Sequence, residues 1–264
     1  MKKNRLRDGI CGAGSAFIIL CILAIFAVIF VVPLVQEWPY QISFTLEHVQ
    51  AVLNDQSLFG VYQNSLFVAF CTALLGLLVT YGAALATARS GLNSKLKGVI
   101  DAIALITNTI PGMVIGIAFM FIFSGTALQN TFFLIILCNV VHFFSTPYLM
   151  MRNSLSKLNS SWETTASLMG DTWIKTIVRI VTPNMTSTIL DVFSYYFVNA
   201  MVTVSAVIFI AGARTMVITT KIKELQYYTK FNEVFVLSLF ILGTNLIVKG
   251  FLGYIIKRKE KKEK

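Results

Sequence analysis

The chain contains 264 residues, of which 56% are hydrophobic and only 13% are charged. Soluble proteins average about 25% charged residues, and the apolar residues here occur in long runs, so we expect a polytopic α-helical membrane protein. A membrane β-barrel is excluded because its strands are short and alternate in polarity. The net charge of +10 does not indicate nucleic-acid binding, because the basic residues flank apolar runs, where membrane lipid headgroups account for them.

The chain begins with a basic tail at residues 1–8, followed by an uncharged run at 9–36 that is long enough to cross about 30 Å of hydrocarbon. We interpret this run as an uncleaved first transmembrane helix. A signal peptide is the alternative, but its apolar region is shorter and ends in a small-residue cleavage site. Residues 37–55 form a predicted extracytoplasmic loop, which opens with the interfacial aromatic residues Trp38 and Tyr40.

Residues 56–256 contain five further predicted spans. The third span should be kinked at Pro111 and Gly112, because proline removes a helical hydrogen bond. A cytoplasmic segment at 152–187 interrupts the apolar sequence, and the chain ends in a basic tail at 257–264. The five predicted spans lie within 56–88, 99–123, 131–151, 189–213 and 234–256, and a polar loop at 214–233 separates the last two.

The distribution of basic residues predicts the orientation in the membrane. Six spans place both termini on one side, and that side carries 17 Lys and Arg residues, against four on the other side. The positive-inside rule therefore predicts cytoplasmic termini and a cytoplasmic segment at 152–187. The four residues on the opposite side form a basic outer loop: Arg214, Lys221, Lys223 and Lys230.

The cytoplasmic segment contains an amphipathic stretch, Ser160–Pro183, that predicts two short helices. Ser160 and Glu163 have the spacing of a capping box, Gly170 suits a helix end, and Asp171 can cap the next helix. Pro183 should stop or bend that second helix. The predicted apolar face consists of Trp162, Ala166, Met169, Trp173, Ile177 and Ile180. From the residues alone, a helical hairpin resting on the inner leaflet explains this pattern as well as a docking element does.

This stretch resembles the EAA loop of permease subunits of binding-protein-dependent ABC importers. The loop pattern is Glu-Ala-Ala, three residues, Gly, nine residues, Ile, one residue and Leu-Pro. Aligning on Gly170 places Ile180 and Pro183 correctly, whereas Thr164 replaces the Glu and Glu163 lies one position early. The resemblance implies ATPase-coupling roles for Glu163, Thr164, Thr165, Ala166, Gly170, Asp171, Ile180 and Pro183.

The resemblance further implies an all-α type I ABC importer (MetI-like) permease fold with six transmembrane helices and a cytoplasmic coupling helix. Such a protein resides in the bacterial inner membrane. Its expected partners are an ATPase dimer, a second permease subunit, an extracytoplasmic substrate-binding protein and membrane lipid. This chain should contain no cofactor, because it lacks a phosphate-binding G-x-x-x-x-G-K-[ST] loop, and ATP and Mg²⁺ would bind to the partner ATPase.

Three further stretches resemble permeases of 2-aminoethylphosphonate importers, with ferric-iron and putrescine or spermidine permeases close behind. They are 110–116 (IPGMVIG), 139–148 (NVVHFFSTPY) and 197–210 (FVNAMVTVSAVIFI). The resemblance therefore implies a phosphonate substrate, with ferric iron or a polyamine as the alternative. An ion-coupled secondary transporter and a membrane scaffold without substrate are the rival classes.

Polar residues within the spans are the candidates for lining a pathway, because such residues usually face protein or a water-filled cavity. They are Asn108, Asn139, His142, Asn199, Thr203 and Ser205. Hydrogen bonding between helices is the alternative role. We find no catalytic signature and expect no enzymatic activity. The four cysteines lie in apolar runs without metal-ligand spacing, so we expect no metal site and no disulfide framework.

Overall fold

The computed structural model describes residues 5–262, so the first four residues of the N-terminal tail and the last two of the C-terminal tail lie outside the described residues. Helices account for most of the described chain, and two short strands accompany them. The helices are α1 Arg5–Val31, α2 Glu47–Asn54, α3 Gln56–Ala88, α4 Ser94–Thr109, α5 Gly112–Phe123, α6 Phe132–His142, α7 Ser145–Lys157, α8 Ser161–Leu168, α9 Trp173–Thr176, α10 Thr182–Asn184, α11 Thr186–Val202, α12 Ile218–Tyr227 and α13 Phe231–Lys262.

The chain divides into two compact units. The smaller unit contains the described residues up to Phe59 together with Ile222–Leu242, and the larger unit contains Gly60–Lys221 and Gly243 onward. Within the described residues, three helices are long and apolar enough to cross a membrane: α1, α3 and α13. Two bent helix pairs raise the number to five if each pair is one span.

The smaller unit contains structure that the sequence did not predict. The segment between α1 and α2 forms an antiparallel hairpin of β1 Val35–Glu37 and β2 Gln41–Phe44. Asn232, near the start of α13, places its Nδ2 3.1 Å from Nε2 of His48 on α2. The predicted extracytoplasmic loop at 37–55 is therefore a folded element that is tied to the last helix.

Both bent pairs are broken more sharply than the sequence predicted. The axes of α4 and α5 differ by 108°, much more than the predicted kink at Pro111, and those of α6 and α7 differ by 57°. Pro111 adopts an extended backbone as the N-cap of α5, and Pro147 lies in the first turn of α7, where its missing N–H is tolerated. The predicted kink at Pro111 is therefore a sharp break, and the break at 143–144 within the predicted span 131–151 was not expected.

The predicted span at 189–213 is also only partly helical. Helix α11 ends at Val202, and a 3₁₀ turn at Val207–Phe209 follows a short irregular stretch. The Thr219 hydroxyl donates to the Thr203 carbonyl at 2.8 Å and replaces a helical hydrogen bond there. The loop predicted at 214–233 instead contains α12, which begins with the buried Ile218.

The core of the larger unit forms where α3, α5 and α6 meet the 206–210 segment. The residues of this cluster are buried and apolar, as expected where helices pack closely and exclude water. It includes Val68, Ile115, Leu134, Ile135, Cys138, Ala206, Val207 and Ile210. The core fixes the broken helices and the irregular stretch after α11 in one rigid arrangement.

Candidate functional site

The amphipathic stretch begins with α8, but not through the predicted capping box. The Ser160 side chain makes no capping hydrogen bond. Instead, the Asn159 carboxamide oxygen accepts from the Ser161 N–H at 3.0 Å. Glu163 does not reach back to the helix start, because it forms an ion pair with Arg89. The prediction of a Ser160–Glu163 capping box is therefore wrong.

The predicted helix end at Gly170 is confirmed. Gly170 has a φ of +81°, a left-handed conformation that favours glycine. Its N–H donates to the Ser167 carbonyl at 3.0 Å, and the Asp171 N–H donates to the Ala166 carbonyl at 2.9 Å. These two hydrogen bonds form a Schellman motif, which turns the chain sharply and satisfies the last carbonyls of α8.

The second helix begins one residue later than predicted and continues past its predicted end. Thr172 caps α9 by accepting from the Lys175 N–H at 3.4 Å, while the predicted cap, Asp171, forms an ion pair with Lys175. A π-helical turn at Ile177–Val181 precedes Pro183 and leads into α10 and α11. The Thr182 hydroxyl donates to the Ile177 carbonyl at 2.8 Å. Because proline has no N–H to donate, a regular α-helix would lose a hydrogen bond here. The wide π-helical turn tolerates this loss, so the helical structure continues past Pro183.

The predicted apolar face divides into a buried part and an exposed part. Ala166 and Ile177 are buried, each 5% exposed. Met169 of that face is 79% exposed, and Trp173 is exposed as well. Leu168 and Ile174, which were not part of the predicted face, are also exposed, Leu168 by 85%. We define the apolar tip as Leu168, Met169, Trp173 and Ile174. A leaflet-resting hairpin and a docking element would both use such a tip.

The remaining predicted coupling residues surround this tip without forming a polar cluster. Thr164 and Thr165 are exposed on α8, and the Thr165 hydroxyl donates to the Ser161 carbonyl at 2.9 Å. Ile180 is half-buried and Pro183 is exposed. The exposed surface of this segment therefore combines the apolar tip with threonine hydroxyls and with the Asp171–Lys175 ion pair.

Glu163 faces its own chain. Its Oε2 lies 3.3 Å from Nη1 of Arg89, and the Arg89 side chain is only 5% exposed. Arg89 also donates through Nη2 to the carbonyls of Leu155 at 2.5 Å and Leu158 at 2.6 Å. Arg89 directly follows the predicted span at 56–88, and nothing in a sequence pairs residues 74 positions apart.

A second polar cluster joins α3, α4 and α7 and was also not predicted. The Tyr148 hydroxyl donates to the Asp101 carboxylate at 2.5 Å, and its oxygen also lies 3.0 Å from the Thr87 hydroxyl oxygen. Arg152 forms an ion pair with the same Asp101 carboxylate at 2.9 Å. Tyr148 is fully buried, so this cluster fixes the relative positions of three helices.

Two of the predicted pathway residues, Asn108 and His142, line one cavity of about 150 Å³. The cavity lies between the end of α4 and the break between α6 and α7. Its wall also includes hydroxyl groups of Thr107, Ser145, Thr146 and Tyr195. All the polar side chains described in this wall are neutral hydrogen-bonding groups, and they can both donate and accept.

The other predicted pathway residues lie near this cavity or within the core. Asn139 is fully buried, and neither polar atom of its side chain has a hydrogen-bond partner among the described residues. Asn199 donates to the Tyr195 carbonyl at 2.7 Å, within its own helix. Thr203 is buried and accepts through its carbonyl, as described above. Asn199 thus bonds within its own helix and not between helices, and at Thr203 the backbone carbonyl, not the side chain, accepts from α12.

Two glycines of α5 allow the irregular stretch after α11 to approach closely. A Cβ atom at Gly112 would lie 2.5 Å from the Ser205 hydroxyl and 2.9 Å from the His142 ring. A Cβ atom at Gly116 would lie 2.2 Å from the Ala206 carbonyl oxygen. These distances are shorter than the normal separation of non-bonded atoms, so a residue with a side chain would require its neighbours to move. Gly112 thus brings Ser205 and His142 together at the start of α5.

Residues 76–261 match the family described as binding-protein-dependent transport system inner membrane components. The chain belongs to this family. The match covers the broken helices, the apolar tip and the glycine elbow. It begins within α3, after α1 and the hairpin. The family consists of membrane transport components, and its multi-pass character agrees with the apolar helices described above.

Two curated relatives belong to metal and oxyanion transport systems. The putative ferric transport system permease protein FbpB 1 of Haemophilus influenzae is 25% identical over 224 residues, covering 81% of this chain and 34% of that protein. The molybdate/tungstate transport system permease protein WtpB of Pyrococcus furiosus is 26% identical over 171 residues, covering 64% of this chain and 67% of that protein. The chain thus spans about a third of the length of the ferric relative.

Solved structures show that the chain has the fold of type I ABC importer permeases. A chain of a bacterial ABC transporter that imports the acidic polysaccharide alginate superposes with a TM-score of 0.70 at 15% identity, covering 97% of this chain and 99% of that one. A chain of the inward-facing MetNI methionine ABC transporter gives a TM-score of 0.62 at 15% identity, with 76% and 94% coverage. The predicted fold class is confirmed.

Proposed function

We propose that the chain is the permease subunit of an ABC importer and that Ser160–Pro183 couples it to a separate ATPase. The observation that carries this proposal is the apolar tip, held outward by the Gly170 elbow in a chain of the binding-protein-dependent family. A short helix with an exposed apolar face fits a groove on another protein. A rigid-body shift of the tip would then move the helices attached at each end.

The proposed complex follows from the family. Two permease subunits, identical or related, form the pathway, two ATPase subunits bind ATP and Mg²⁺, and an extracytoplasmic binding protein delivers the substrate. The orientation proposed from the basic residues places both termini and the tip in the cytoplasm of a bacterial cell. The chain itself is then a non-catalytic subunit, and ATP hydrolysis takes place on its partner.

The proposed substrate is a small solute with a tetrahedral oxyanion group, and 2-aminoethylphosphonate is the specific candidate from the sequence resemblance. WtpB is named for the transport of molybdate and tungstate, which are tetrahedral oxyanions. The cavity beside Asn108 and His142 offers neutral hydrogen-bond donors, which suit oxyanion oxygens. Ferric iron is the second candidate, because FbpB 1 is a ferric permease by name. Hard cations prefer carboxylate ligands, and the described cavity wall does not supply them.

Reconstitution tests both parts of this proposal. The permease, its ATPase and its binding protein are placed in liposomes, and uptake of labelled 2-aminoethylphosphonate is measured with and without ATP. We expect uptake only with ATP, and competition by other phosphonates. Uptake that persists without ATP but is lost when the ion gradient is removed would identify a secondary transporter. A binding protein that retains iron and ignores phosphonates would replace the substrate and leave the importer assignment intact.

A further inference from the structure

The Arg89 side chain contacts residues on both sides of the hinge between α7 and α8. The residues between these helices, 158–160, are not helical, so covalent connection alone would let α8 pivot on the end of α7. Arg89 contacts the chain on both sides of this hinge. It holds the Leu155 carbonyl before the hinge, the Leu158 carbonyl at the first hinge residue and the Glu163 carboxylate after the hinge.

Each of these contacts is chemically favourable. The carbonyls at the end of α7 lie at the negative end of the helix dipole, where a cation is stabilised. Leu155 also accepts from the Leu158 N–H at 3.2 Å, but a carbonyl oxygen has two lone pairs and can accept from Arg89 as well. A guanidinium group can satisfy several acceptors at once because its five N–H donors point in fixed directions. Its burial limits competition from water, since the Arg89 side chain is only 5% exposed.

Glu163 is the member of the cluster that belongs to the coupling segment. The family pattern places a Glu at the position of Thr164, and Thr164 is exposed in this chain. The acidic residue one position earlier lies on a different side of α8 and faces inward to Arg89. The acidic side chain of this segment thus contacts the permease itself and does not lie on the outer surface of α8.

We propose that Arg89 is a positioning residue that ties the coupling segment to α3. Because Arg89 immediately follows α3, a displacement of α8 moves three helices: α7 and α11 through the chain, and α3 through this side chain. The inference rests on the proposed function, since it concerns how a push on the apolar tip reaches the spans. It assigns Glu163 to transmission within the permease and leaves binding of the ATPase to the apolar tip.

The test measures transported substrate per ATP hydrolysed in the reconstituted transporter. Arg89→Lys keeps the charge but cannot reach all three acceptors, and Glu163→Gln keeps the shape but removes the ion pair. Lys157→Gln is the matched control, because Lys157 is exposed at the end of the same α7. We expect both test variants to retain bound ATPase and basal hydrolysis while transport per ATP falls at least fivefold, with the control unchanged.

Combining the two substitutions adds a check on the mechanism. If Arg89 and Glu163 act as one unit, the double variant should be no worse than the more affected single variant. Unchanged transport per ATP in both single variants would overturn the inference, as would loss of the ATPase from the complex. Failure of the unmodified transporter to use ATP would instead overturn the proposed function, so the two failures are distinguishable.

Discussion

Gly170 shows how one backbone angle fixes the shape of the coupling segment. The Schellman motif requires a left-handed residue at this position, and Gly170 supplies it with a φ of +81°. No atom lies within 4 Å of a Cβ built at this glycine, so space does not restrict the position. The requirement is therefore conformational, and it sets the direction in which the apolar tip points.

We expect Gly170→Val to weaken coupling by straining the elbow. A branched side chain in the left-handed region costs on the order of 1–2 kcal/mol, and the chain can avoid this cost by unwinding the end of α8. Gly98→Ala is the control, because Gly98 lies within α4 with nothing near its Cβ position and should be neutral or slightly stabilising. Co-purification of the ATPase and ATP-driven uptake measure the effect. Wild-type values for Gly170→Val would refute the role of the elbow.

At Gly116 the restriction is steric and not conformational, because there is no space for a side chain. We expect Gly116→Ala to lower the free energy of unfolding by about 1–3 kcal/mol, since the new methyl group would press on the Ala206 carbonyl in the backbone. Gly253→Ala, on α13 with no atom within 4 Å of its Cβ position, is the control. Thermal unfolding in detergent measures both variants. Equal melting temperatures would show that the 205–206 stretch can move away from α5.

At the scale of single elements, the apolar tip is the surface that we propose binds the ATPase, because its large apolar side chains are exposed. We expect Leu168→Gln to reduce ATPase binding by tenfold or more, because burying such a side chain in an interface contributes about 1.5–3 kcal/mol. Folding of the permease should not change, since Leu168 is 85% exposed in the described chain. Ser167→Ala, an exposed polar neighbour, is the control. Normal ATPase binding by Leu168→Gln would favour a tip that rests on the lipid surface.

The elements show which parts of the structure follow from local sequence. Apolar runs predict where helices cross the membrane, and Gly170 predicts the elbow, because both depend on a few neighbouring residues. The breaks at 110–111 and 143–144 were predicted as a kink and as an unbroken helix. They depend on long-range packing, such as the contact between Gly112 and Ser205. The Glu163–Arg89 pair was missed for the same reason, whereas the local capping box was predicted and is absent.

At the scale of the whole molecule, the uneven charge predicts a single orientation in the membrane. We expect a cysteine at Ser43 in the hairpin to react with an impermeant thiol reagent in intact cells, and one at Ser156 on α7 only after the membrane is opened. Both positions are exposed in the described chain. The native cysteines are first replaced by serine or alanine, and that background must still transport. The reverse labelling pattern would contradict cytoplasmic termini.

The breaks between α4 and α5 and between α6 and α7 have a consequence for hydration. Backbone groups released from a helix cannot remain in contact with hydrocarbon, so they must face protein or water. The cavity of about 150 Å³ beside both breaks has room for about five water molecules. The amide hydrogens of Ser145 and Thr146, at the start of α7, should therefore exchange with solvent much faster than those in the middle of α3. A charged solute passing this point would exchange its hydration shell in stages and would not lose it all at once.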